Sequence, residues 1–204
     1  MKHFFLISIL SFFTVVGFGQ KVSVTLHSVS NYEPNEEFAK RAASALEKVL
    51  NSDEFRQRVL AGIYERTNGL TNQQLYNAII NAHELQGPGG TDTVVDLRAR
   101  TLRINGNESN WKNNCRIGSR SGTIGIDGNG DGVTAICPQR LELWASQNNI
   151  AELAGHYAHE YMHILGFGHF KRFLSTQAWR EKTFVYKIGN LVAELVNQQM
   201  NSTQ

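Results

Sequence analysis

The stretch His159-Glu160-Tyr161-Met162-His163-Ile164-Leu165-Gly166-Phe167-Gly168-His169 sets three histidines and one glutamate at a spacing that a helix turns into a cluster. With about 3.6 residues per turn, positions four apart lie one above the other, so His159 and His163 share a face. Both imidazoles can then reach one Zn²⁺, and Glu160, next to the first, is placed to act on water at that ion. Gly166 can take the left-handed conformation that stops a helix, and the turned chain brings His169 back as a third ligand. Three histidines leave a fourth tetrahedral position for water, which separates a catalytic site from a closed structural one. Unrelated surface or core histidines on an amphipathic helix are the bland alternative. Five specified residues, three of them rare histidines, weigh against it.

This eleven-residue pattern, H-E-x-x-H-x-x-G-x-x-H, resembles the zinc-binding signature of the metzincin metallopeptidases. The resemblance implies a zinc endopeptidase, with His159, His163 and His169 as ligands and Glu160 as general base and acid. Metzincins also carry a methionine turn beneath the metal. Here only Met1, Met162 and Met200 occur, and none is placed for that role. Lys182 to Asn190 lies where such a turn belongs. By analogy Val185 replaces the methionine, and Tyr186 is the tyrosine that follows, able to aim its hydroxyl at the metal or an oxyanion. The alternative is that Phe184 and Tyr186 begin the last helix and pack against the core.

At 204 residues the chain accommodates one domain with a sizeable core. Its 20 basic and 18 acidic residues leave a formal charge of +2, no field to attract nucleic acid or a membrane surface. Met1-Lys2-His3, the mostly apolar run from Phe4 to Phe18, and Gly17-Phe18-Gly19 have the charge–apolar–small order of a secretory signal over residues 1–19. The run is short for a membrane span, so export to the periplasm or medium without a stable membrane anchor is expected. In that setting the two cysteines, Cys115 and Cys137, favour a disulfide over two buried thiols.

Residues 20–204 read as a single α+β domain, a twisted mixed sheet with an active-site helix and a C-terminal helix. Val22, Val24 and Leu26 alternate with polar residues as in a half-buried strand over Lys21–Ser28. Phe38, Ala42, Leu46, Val49 and Leu50 form one helical stripe, with Pro34 near its start. Helices from Asp53 to about Glu65 and from Thr71 to about His83 follow. Gln74 completes a capping box, and Leu70 faces Leu75. These make a helical insertion near residues 53–86, ended by Gly87-Pro88-Gly89-Gly90. Beyond it Val94, Val95, Leu97, Leu102 and Ile104 suggest one or two strands, with a turn at Asn105-Gly106-Asn107. Thr123–Ile126 and Val133–Ile136 suggest further strands. The active-site helix is expected from near Asn149, with Glu152 three residues on, to Gly166. Ile188, Leu191, Val192, Leu195 and Val196 mark the amphipathic C-terminal helix. This order of elements resembles the metzincin domain loosely from about Lys21 to Met200.

Asp127-Gly128-Asn129-Gly130-Asp131-Gly132 resembles the opening of a Ca²⁺ loop, but Pro138 stands where an EF-hand needs its bidentate glutamate. A tight hairpin loop is the other reading. His156, three residues before His159, either supports the ligands, binds substrate or is a solvated helix-face histidine. Tyr157, Tyr161 and Met162 read as core contacts. A protein or peptide substrate is expected, lying as an added strand along the Gly122–Ile126 edge. No recognisable inhibitory pro-segment motif precedes the domain. The competing classes are a zinc-binding peptidase-fold protein without turnover and an amidase acting on a non-protein amide. Cleavage specificity and oligomeric state are not legible.

Overall fold

The computed structural model describes residues 21–30, 32–84, 92–101, 123–124, 133–169 and 177–202. The expected signal segment, the Leu102–Ile104 strand and its turn, Cys115 and the Asp127–Gly132 loop lie outside them.

Strand β1 (Ser23–Ser30) leads into helix α1 (Glu36–Leu50), then α2 (Asp53–Ala61) and α3 (Asn72–Ile80). Strand β2 (Val94–Thr101) follows, with β3 (Thr123–Ile124) and β4 (Val133–Ile136) after it. Helices α4 (Pro138–Ser146), α5 (Ile150–Ile164), α6 (Gln177–Arg180) and α7 (Phe184–Asn201) complete the chain. The architecture is α+β. The sheet order is β1-β2-β4-β3, with β1, β2 and β4 parallel and β3 antiparallel to β4. Parallel neighbours need long crossovers, and α1 to α3 supply the one between β1 and β2.

The β1 edge is closed by side chains from α1 and its cap. Val22 N–H donates to Asn51 Oδ1 at 3.0 Å, Asn51 Nδ2 returns a bond to the Val22 carbonyl at 2.7 Å, and Val24 N–H donates to Glu47 at 2.8 Å. These bonds satisfy backbone groups that an edge strand otherwise offers to other chains. Among the described residues the opposite edge is β3, which covers Thr123 and Ile124 of the expected edge segment.

Helix α5 is the centre of the core, packed against α7 on one side and α1 on the other. The stripe Phe38, Ala42, Leu46, Val49 and Leu50 is buried, as is the Ile188–Val196 stripe of α7. The capping box at Thr71 forms with Gln74, although α3 stops at Ile80 rather than His83, where Asn81 caps it and Ala82 turns to φ 46°. Two helices were not expected. Helix α4 begins with Pro138 at its first turn, a position that suits proline because no N–H is needed there, and α6 is a single turn. Among the described residues no helix is long and apolar enough to cross a membrane.

Candidate metal centre

Helix α5 is built to deliver its last turn to a site. Asn149 caps its start by accepting the Glu152 N–H, and its end is a glycine stop. Gly166 takes φ 86°, its N–H donates to the His163 carbonyl at 2.9 Å, and Phe167 N–H reaches the Met162 carbonyl at 3.0 Å. These paired bonds close the helix and reverse the chain. The reversal returns His169 to the face that His159 and His163 already share.

The three ring nitrogens converge. His169 Nε2 lies 3.0 Å from His163 Nε2 and 3.2 Å from His159 Nε2. One candidate ligand atom from each residue falls within 4.8 Å of the others, a set able to hold a metal ion. Two nitrogen lone pairs facing each other at this range repel unless a proton or a cation lies between them. Tetrahedral ligands about 2.0–2.1 Å from zinc stand roughly 3.3 Å apart, so the donor set fits such an ion. The second nitrogen of His163 decides its tautomer. Nδ1 lies 2.7 Å from the Phe167 carbonyl, which can only accept, so Nδ1 carries the proton and Nε2 keeps its lone pair. Burial, the leading cause in each case, lowers the pKa of all three rings, that of His169 to about 4. Neutral imidazoles are the form that binds metal.

Glu160 is 2% exposed, and burial alone raises its carboxyl to about 8. Its Oε2 has no hydrogen-bond partner among the described residues. His156 stands beside it, Nδ1 to Oε1 at 3.6 Å, and is 7% exposed. The reading of His156 as a solvated helix-face residue is thereby corrected. It faces β4 and is packed in.

Tyr186 reaches the site, but by a different route from the expected one. Lys182 to Asn190 is not a separate turn under the metal. Thr183 stands at the N-cap position of α7, its hydroxyl donating instead to the Arg180 carbonyl at 2.7 Å, and the helix runs from Phe184, so Val185 is a buried residue of its first turn. From there the Tyr186 ring packs edge-on against His159, 4.6 Å between centroids, and lies 4.8 Å from the His169 ring. The alternative in which Phe184 and Tyr186 begin the last helix is the one the fold adopts, and from that helix Tyr186 abuts two of the candidate ligands.

The loop between α2 and α3 supports this arrangement. Glu65 and Thr183 form a parallel bridge, with Glu65 N–H donating to the Lys182 carbonyl at 3.0 Å and Phe184 N–H to the Glu65 carbonyl at 2.8 Å. Asn68 Nδ2 donates to the Gly166 carbonyl at 3.3 Å, and Lys187 Nζ to the Ile63 carbonyl at 2.8 Å. The ring of Phe184 is gripped by Tyr64 at 5.2 Å and Phe167 at 4.7 Å. Residues 62–70 thus join the turn after α5 to the start of α7. Leu70 at the foot of α3 carried a staple signal, but nothing local announced that this loop underpins the histidines.

Compared with protein-family models, curated proteins and solved structures, the chain matches none.

Proposed function

We propose that the chain is an exported zinc-dependent endopeptidase of metzincin type. The observation that carries this reading is the convergence of three imidazoles next to a buried, half-unpartnered glutamate. His159, His163 and His169 would hold the zinc, which when bound polarises a carbonyl and acidifies water. Glu160 takes the proton from the attacking water and passes it to the leaving amine. The Tyr186 hydroxyl, carried by a ring already against His159 and His169, donates to the developing oxyanion. An extended peptide laid along β3 would pair with the sheet edge by main-chain hydrogen bonds.

The test is hydrolysis of a mixed peptide library by the zinc-loaded chain, with and without chelator, beside Glu160→Gln. Chelator-sensitive cleavage, lost in the variant while zinc is kept, supports the reading. A zinc-loaded chain that leaves every peptide intact overturns it, in favour of a non-protein amide or of binding without turnover.

A further inference from the structure

His156 is the one buried histidine near the site that this reaction does not use. It lies on α5 one turn before Glu160, so the two share a face. Its two ring nitrogens point to two different groups. Nδ1 is 3.6 Å from Glu160 Oε1, and Nε2 is 3.3 Å from Thr134 Oγ1. Thr134 is 1% exposed on β4, the strand that pairs with β3. Trp144 and Tyr157 flank the imidazole, with centroids at 6.3 and 6.1 Å. Three polar side chains in line inside a packed core form a chain from the sheet to Glu160.

We propose that His156 is a positioning residue for Glu160, with its ring set by Thr134. The proposal rests on Glu160 being the base. A neutral imidazole has one N–H and one lone pair. When Glu160 is ionised, the form that acts as base, its carboxylate can only accept, so the proton belongs on Nδ1; the opposite tautomer would set a lone pair against the carboxylate. Nε2 then needs a donor, and the Thr134 hydroxyl supplies it. The 3.6 Å separation is looser than a hydrogen bond, as catalytic contacts often are before substrate is bound. Held through Oε1, the carboxylate keeps its unpartnered Oε2 for the attacking water.

The side-chain lengths of Asn and Gln separate this role from simple filling of the core. An Asn amide nitrogen occupies the place of Nδ1, and a Gln amide nitrogen that of Nε2. In the zinc-loaded full chain, His156→Asn should keep most of the parent's kcat. His156→Gln should lose about 10–100-fold in kcat, the usual range for an outer residue of a metal site, with KM and zinc content unchanged. Equal loss, or equal activity, in both variants overturns the proposal. A second readout needs neither metal nor turnover. Nitrogen NMR of the metal-free full chain, at alkaline pH where the Glu160 carboxyl is ionised, should show His156 as the Nδ1–H tautomer, and Thr134→Val, close to isosteric, should shift it toward a mixture. An Nε2–H tautomer in the parent, or no change in the valine variant, overturns the proposal even if no peptide is ever cleaved. A chain with the expected tautomer and no hydrolysis instead counts against the peptidase reading alone.

Discussion

Gly155 of α5 and Gly189 of α7 meet backbone to backbone: a Cβ on Gly155 would fall 2.7 Å from the Gly189 carbonyl oxygen, and one on Gly189 would fall 2.9 Å from that of Gly155. The contact draws the two helices together where their neighbours matter. His159 lies one turn beyond Gly155, Tyr186 one turn before Gly189, and their rings touch because the backbones do.

Gly155→Ala therefore behaves against propensity. In an open helix alanine is better than glycine by about 1 kcal/mol. Here the added methyl meets a carbonyl that cannot rotate away, and overpacking of this kind costs about 1–3 kcal/mol. Urea unfolding of the two proteins should show the alanine variant less stable. Gly189→Ala should be similar and should also disturb the site, since its Cβ would press on that of His159 at 3.1 Å.

The chain should bind close to one zinc, and His159→Ala, His163→Ala or His169→Ala should each abolish tight binding, because two imidazoles leave an incomplete site. At free zinc a hundredfold above Kd the parent gains about 2.7 kcal/mol of stability, read as a rise in Tm that chelator reverses. Full zinc in the His169 variant would reduce the site to the helix pair and an unidentified third group.

Tyr186→Phe removes one oxygen and leaves the packing against His159 and His169 in place. Loss of an oxyanion donor costs roughly 10²–10³ in turnover. Zinc content and Tm should stay at the parent's values while kcat falls. Parent-level kcat would make the ring a wall of the site and nothing more.

Glu84 should give the fold a pH dependence away from the candidate metal site. Burial, aided by the charges of Asp96 and Asp92, raises its carboxyl to about 7 against the pull of the Asp96 N–H, which donates to it at 2.9 Å. A folded-state pKa above the unfolded value means that the folded chain binds the extra proton. The stability this contributes is complete below the unfolded pKa, near 4.5, and is lost as pH rises through about 7. Denaturant titrations at about pH 4 and pH 8 (conditions chosen to bracket roughly that window) should show a smaller drop in Glu84→Gln than in the parent. An equal drop would assign the dependence elsewhere.

Cys137 is 2% exposed at the start of α4. Its expected bridge to Cys115 closes a loop of about twenty residues and is worth roughly 3 kcal/mol by loop entropy. The protein purified without reductant should have the mass of the fully oxidised chain, and two titratable thiols would refute the bridge.

Features encoded within a few residues were legible in the sequence. The Thr71–Gln74 box, the Asn149 cap, the glycine stop at Gly166 and the stripes of α1 and α7 each follow from local spacing. Helix α4 was missed because Leu141 and Trp144 are its only buried residues, too few to make a period. The sequence left the start of α7 open between a turn and a helix beginning at Phe184, because the Phe184 N–H is fixed by the Glu65 carbonyl, far off in the chain. Burial of His156 depends in the same way on Thr134, a residue on a strand whose pattern says nothing of a helix partner.

The Glu65–Thr183 bridge has a bearing on anyone wishing to transplant or miniaturise the metal site. A graft limited to the histidine helix and its turn would arrive without the scaffold that orients His169 and Tyr186. The smallest portable unit must keep residues 62–70, and α2 and α3 come with them as the clamp that fixes that loop at both ends.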